Sequence, residues 1–252
     1  MLIPSNQRET WVTRAMADET VLNDLRAMPQ QGIAERRKNM RHQSARLESA
    51  AASPAPMRKG EMTRVAILDV ALELSSRDGL EGLTIGLLAE RMQMSKSGVF
   101  AHFGSREDLQ VEVVREYHRR FEQEVFYPSL QEPRGLPRLW SMVRRWMEKR
   151  IQEVTTGCIY ISGAVEYDDR AGSLVRDELV KSVTIWRAAL TRAINQAREE
   201  WHLRADCDPR LMLFEMYSLE LGLHHDARFL RLPDSAELAM VALNKLIQSY
   251  RT

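Results

Sequence analysis

The stretch Gly82-Leu83-Thr84-Ile85-Gly86-Leu87-Leu88-Ala89-Glu90-Arg91-Met92-Gln93-Met94-Ser95-Lys96-Ser97-Gly98-Val99-Phe100-Ala101-His102-Phe103 decides the fold. Thr84 is a good N-cap residue, and Ile85, Leu88, Ala89 and Met92 follow at the spacing of one helical face. Gln93-Met94 turns the chain, and Ser95 caps a second short helix on which Lys96, Ser97 and Gly98 keep one surface polar or small. Two short helices joined by a tight turn make a helix-turn-helix over 84–103. On periodicity alone, a helical hairpin inside an ordinary bundle is an equal alternative.

The flanks extend the helical pattern. Ile67, Val70, Ala71 and Leu74 share one helical face in a helix beginning near Thr63, and Asp78-Gly79 supplies its stop. Ser105-Arg106-Glu107-Asp108 reads as a capping box with acidic residues in the first turn. Leu109, Val113, Tyr117 and Phe121 follow four apart, predicting a long helix that ends near Pro128. Further helices are expected at 136–154, just after Cys158, and at 173–201, 209–230 and 234–249. No strand pattern competes. The fold class is all-α, with an N-terminal three-helix domain at 57–121 and a C-terminal helical domain at 122–252.

Composition excludes more than it assigns. No apolar run approaches the roughly 18 residues of a membrane span, and no signal-peptide block opens the chain, so a soluble, cytoplasmic protein without a membrane partner is expected. Cys158 and Cys207 lack the paired spacing of a zinc site or a disulfide framework. Adjacent residues on a helix point apart, so His224-His225-Asp226 does not read as a metal site. No nucleophile–base constellation, phosphate loop or cofactor motif is present, which argues against an enzyme and for no cofactor. The formal net charge of +1 carries no hint of nucleic acid.

The motif carries what the charge does not. The segments Gly82-Leu83-Thr84-Ile85 through Leu88-Ala89, Met94 through Phe103, and Ser105-Arg106-Glu107-Asp108-Leu109 together resemble the DNA-binding signature of the tetracycline-repressor (TetR) family of transcriptional regulators. The likeness runs without a gap from about Thr63 to Phe121. It implies a regulator that binds operator DNA, with the second short helix entering the major groove. It further implies a small-molecule effector and a homodimer.

The DNA-binding residues implied by the resemblance are Thr84, Ser95, Lys96, Ser97, Gly98, Val99, Phe100, His102 and Arg106. Lys96, Ser97 and Gly98 open the recognition helix, where Lys can donate to guanine O6 and N7 and Gly permits close approach. Phe100 stands where the family carries an aromatic residue, often Tyr, and lacks the hydroxyl. His102 and Arg106 suit phosphate, whereas Phe103 and Ala89 suit the core.

Two readings stay open for residues 1–56, where Arg36, Arg37, Lys38, Arg41 and Arg46 precede an Ala/Ser/Pro linker at 50–56. One is a loosely ordered tail with a helix through 33–47, and the other is a basic arm that reaches DNA; Met57 or Met62 is an alternative start. In the C-terminal domain, Trp140, Trp146, Tyr160, Tyr167, Trp186, Met216 and Tyr217 are candidates for an effector pocket, with plain core packing as the alternative. Ser218, Gly222, Met240, Leu243 and Ile247 on the last two helices are candidates for the dimer interface, against a stripe that faces the protomer's own core. A competing function is a small-molecule-binding helical protein or enzyme with a vestigial helix-turn-helix, and a helical adaptor is a third.

Overall fold

The structure is a computed structural model and describes residues 58–252, so the helix expected at 33–47 and the basic cluster lie outside the described residues. It is all-helical apart from one isolated bridge between Leu203 and Arg251. α1 (Lys59–Asp78) starts four residues before the apolar pattern announces it and buries Ile67, Leu68, Ala71, Leu72 and Leu74. It stops at Gly79, whose φ of 84° is open to glycine at little cost and whose N–H reaches the Ser75 carbonyl at 3.0 Å.

α2 (Ile85–Arg91) and α3 (Lys96–Phe103) are each capped as the sequence predicts. Thr84 Oγ1 accepts from the Leu87 N–H at 3.1 Å, and Ser95 Oγ accepts from the Gly98 N–H at 3.0 Å. Between them Gln93 adopts a left-handed conformation with φ of 55°, which makes the turn tight. α4 (Arg106–Phe121) is capped by Ser105, whose Oγ accepts from the Asp108 N–H at 3.0 Å and donates to Asp108 Oδ2 at 2.6 Å.

α4 was expected to run unbroken to Pro128. It passes instead into a π-type segment, Glu122–Phe126, and a last turn, Tyr127–Ser129. The apolar spacing explains this. Residues exactly four apart drift by about 40° per step around an α-helix, so the row from Leu109 through Val113, Tyr117, Phe121 and Val125 would wind off the core. A wider π turn offsets part of that drift, and Phe121 and Val125 both stay buried.

α5 (Leu136–Gln152), α6 (Ile159–Tyr167), α7 (Leu174–Glu199), α8 (Pro209–His224) and α9 (Ser235–Tyr250) complete the fold. α8 also ends in a π-type segment, His225–Leu230, before Arg231 turns the chain with φ of 58°.

Two apolar clusters form within residues 64–252. One joins α1 to α4 and takes in Cys158, Ile159, Tyr167, Val175 and Leu179, residues the sequence reading gives to the second domain. The other gathers Phe121, Val125, α5, the later part of α7, α8 and α9. α4 contributes to both.

A charged group sits inside the helical body. Arg150, 2% exposed, pairs with Glu220 of α8 and reaches Glu153 Oε2 at 2.8 Å. The Tyr117 hydroxyl donates to Glu153 at 2.9 Å, and Lys149 contacts Glu153 at 3.1 Å and Glu124 at 2.6 Å. Burying charge is costly unless every partner is present. Arg150→Met is therefore expected to lower unfolding free energy by about 3–5 kcal/mol, read from urea denaturation midpoints, because Glu220 is left buried and unpaired. A loss below about 1 kcal/mol would show that the carboxylate reaches water.

Candidate nucleic-acid interface

α3 divides into two faces. Val99 is fully buried and Phe103 nearly so, whereas Lys96, Ser97, Phe100 and Ala101 are exposed at the spacing of one outward stripe. Phe100 is 52% exposed. Gly98 is half-buried beneath the turn, and a Cβ there would lie 3.1 Å from Ser95 Oγ, so its absence lets the cap close tightly. The Lys96 stem folds toward α2: a Cβ on Gly86 would lie 3.4 Å from Lys96 Cε and 3.8 Å from both Lys96 Nζ and Thr84 Oγ1. The ammonium and the Thr84 hydroxyl thus share one patch of surface.

Three of the expected DNA residues lie elsewhere. Val99 points into the core because the inward stripe of α3 needs a branched apolar side chain opposite α2. His102 is half-buried beside a cleft of about 420 Å³ also lined by Arg64, Phe103, Glu112, Leu174 and Lys181, away from the Lys96 face. Arg106 turns its guanidinium back onto the loop between α1 and α2, with Nε on the Leu83 carbonyl at 2.9 Å and Nη2 on the Glu81 carbonyl at 2.5 Å. Two of its nitrogens thus reach carbonyls outside any helix, while the side chain stays 42% exposed.

That loop is gripped from the other side as well. Glu81 accepts from the Tyr167 hydroxyl at 2.5 Å and pairs with Arg170 at 2.7 Å, while the Glu81 N–H donates to Glu166 at 2.8 Å. The Tyr167 hydrogen bond, with Arg106 and Arg170, holds the Glu81 carboxyl below the usual carboxylate range. Tyr167 is therefore a clasp between α6 and the loop between α1 and α2. Gln110, buried, closes the loop by donating to the Leu80 carbonyl at 2.6 Å.

The remaining pocket candidates do converge. Trp146 meets Trp186 with ring centres 5.7 Å apart and Tyr217 at 4.7 Å, and Phe121 links Trp186 at 4.9 Å to Tyr160 at 6.1 Å. Met216 is fully buried in the same cluster, and Trp140 packs on its margin. Phe121 and His118 belong to this group and escaped the sequence reading, which had placed Phe121 in the α4 stripe and passed over His118.

On the last helices, Leu243 and Ile247 are buried within the protomer and Met240 half-buried against its core, because the most regular apolar stripe of α9 is the one that faces inward. Ser218 and Gly222 do face outward, with nothing near the missing Gly222 Cβ. The same two helices expose Phe214, Leu221 and Phe229, on α8 and its π-type extension, and Leu238 and Val241, on α9. The i, i+7 repeat of Phe214 and Leu221 was the available signal.

Two short capped helices joined by a tight turn, the second with an outer face clear of the core, have the geometry of a helix-turn-helix. Two family models agree: "Bacterial regulatory proteins, tetR family" matches residues 67–113, and "Tetracyclin repressor-like, C-terminal domain" matches residues 135–243. Together they span more than half of the chain, which belongs to the TetR family of DNA-binding, non-catalytic transcriptional regulators. No curated protein matches it.

Among solved structures, a TetR-family regulator from Cytophaga hutchinsonii is 18% identical with a TM-score of 0.66, covering 79% of this chain and 99% of that one. A TetR regulator from Chloroflexus aurantiacus is 19% identical with a TM-score of 0.67, covering 77% and 98%. A protein from Saccharomonospora viridis in complex with choline is 18% identical with a TM-score of 0.59, covering 75% and 96%. At these identities the likeness is one of fold. No described helix is long and apolar enough to cross a membrane.

The two cationic side chains at this surface separate by experiment. Arg106→Ala is expected to lower folding stability by about 1–3 kcal/mol through lost charge-assisted hydrogen bonds, whereas Lys96→Ala stays within about 0.5 kcal/mol of the parent. Equal denaturation midpoints for the two variants would return Arg106 to the surface. The Glu81 contribution has a sign: its carboxyl is depressed on folding, so the stability it adds is full above the ordinary carboxylate range and disappears as pH falls through the lowered value. In Glu81→Gln the acid side of the stability profile should be flatter over that window.

Proposed function

We propose that the chain binds a palindromic operator as a homodimer and releases it when a small-molecule effector occupies the C-terminal helices. The observation that carries this reading is the outward face of α3, where Lys96, Ser97, Phe100 and Ala101 stand clear of the core. Lys96 has the donors for guanine O6 and N7, and Ser97 reaches any base edge. Phe100 offers an apolar edge for a thymine methyl. Thr84 and Ser95 are exposed and lie near phosphate in this docking, with their hydroxyls already holding the caps.

A second copy covers the outward face of α8 and α9. Phe214, Leu221, Phe229, Leu238 and Val241 form apolar surface that a lone regulator has no reason to expose, and a two-fold axis there presents two α3 helices to successive major grooves. α4 starts beside α3 and ends among the aromatic residues of the second cluster, so it is the lever joining effector to head. Linkage then requires operator to weaken effector binding by the factor with which effector weakens operator binding.

Fluorescence anisotropy on DNA upstream of the chain's own gene, repeated across salt concentrations, tests the reading. Affinity should fall steeply as salt rises, and absent or salt-insensitive binding would sink it. Lys96→Ala should cost about 1–3 kcal/mol and relax preference at one base pair in each half-site. A uniform loss on every sequence would make Lys96 a phosphate contact. Phe214→Glu should yield a monomer in sedimentation and abolish tight operator binding; a dimer that survives it places the interface elsewhere.

A further inference from the structure

α1 carries a charge on its apolar stripe. Ile67, Ala71 and Leu74 face the core, and the place one turn before Ile67 on that face is taken by Arg64, which is half-buried. An arginine there forgoes the apolar burial that the stripe otherwise supplies. Its guanidinium lies over the Phe103 ring, 5.0 Å from the ring centre, and pairs with Glu112 of α4. Arg115 bonds the same carboxylate at 2.8 Å and also reaches Glu178 of α7 at 3.0 Å, so the group that holds Arg64 is itself tied down. Burial pushes the Glu112 carboxyl up, but the bonds from Arg64 and Arg115 outweigh it and hold the group below the ordinary carboxylate range. Arg64 thus joins α1, α4 and the last residue of α3.

α3 is short enough for that contact to decide its direction. Its two inward side chains, Val99 and Phe103, are four residues apart, about 6 Å along the axis, and Lys96 lies about 4.5 Å beyond Val99 on the other side. Val99 is fully buried, whereas Phe103 and Arg64 both line the cleft of about 420 Å³, which leaves open space beside the ring. A displacement of the Phe103 end therefore tilts the helix about Val99 and carries Lys96 about three-quarters as far the other way. A hydrogen bond to a base edge loses its geometry over a few tenths of an ångström.

We propose that Arg64 is a positioning residue for base recognition: acting through Phe103 and held by Glu112, it fixes the tilt at which α3 presents Lys96 and Ser97 to the major groove. The inference rests on the operator-binding reading above. A phosphate contact would need the charge turned toward DNA, whereas here it is bonded to a carboxylate and laid over the ring of a core residue.

The test uses the full-length protein and two variants: Arg64→Met, which keeps an apolar stem, and Glu112→Gln, which keeps the shape and leaves Arg64 intact. Each is titrated by fluorescence anisotropy against the upstream duplex and a shuffled duplex of the same length, across salt concentrations. In both variants the preference for the upstream duplex should fall about 3- to 10-fold while the salt slope stays that of the parent. Glu112→Gln frees the Arg64 charge, so a phosphate contact would instead tighten binding to both duplexes, and Arg64→Met would weaken both with a salt slope shallower by about one ion. Either of those patterns, an equal loss on both duplexes, or an unchanged preference would overturn the proposal. In the DNA-free protein, the backbone amides of Lys96 and Ser97, about 10 Å from Phe103 along the helix, should shift in the ¹H–¹⁵N spectra of both variants, and amides that stay in place would count equally against it. A parent without preference for the upstream duplex would speak against the operator-binding reading, and the amide shifts then decide the role of Arg64 by themselves.

Discussion

The structure depends on one helix serving two cores. Leu109, Val113 and Tyr117 of α4 are buried with α1, α2 and α3, and Phe121 and Val125 are buried with α5, α7 and α8. A single rigid rod cannot present a straight row of residues four apart to both without rotating off one of them. The π-type segment at Glu122–Phe126 is the compromise, and it lies beside the ring of Phe121 where the two cores meet. The helical rod from Arg106 to Ser129 thus passes through both cores without a break in the chain of helical turns.

Around that rod, polar groups are used as clasps. Glu81 is held by three donors from α4, α6 and the turn after α6, and Arg150 ties α5 to α8. The first clasp is half-exposed and titratable, and the second is sealed. Their placement differs in kind: the outer one ties the loop between α1 and α2 to α6, while the inner one joins α8 to the interior.

Much of the fold was legible because the local signals agree with one another. Thr84, Ser95 and Ser105 are cap residues immediately before apolar repeats, and each caps its helix in the structure. The helix boundaries after residue 136 also follow from Pro, Gly and apolar spacing. What spacing cannot express is direction around a helix when two faces are apolar. α9 has one regular stripe, read as an interface, and a sparser one at Leu238 and Val241 that is exposed. Long cationic side chains carry a related ambiguity: Arg106 sits where a phosphate contact is plausible, and only the carbonyls of Glu81 and Leu83, brought near by the fold, show where two of its nitrogens bond. Tyr167 was grouped with other aromatics by composition, although its hydroxyl is spoken for by a residue 86 positions away.

Ser95 and Gly104 cap α3, and Val99 and Phe103 anchor it to the core. Lys96, Ser97, Phe100 and Ala101 lie outside that core, although Ser97 Oγ sits 3.1 Å from Ser95 Oγ and the Lys96 stem lies beside Gly86. On the function proposed above, substitution at these four positions changes what the helix offers to a groove at small cost to the fold. On that function, such a separation lets recognition diverge between descendants of one scaffold while the scaffold itself stays under constant selection.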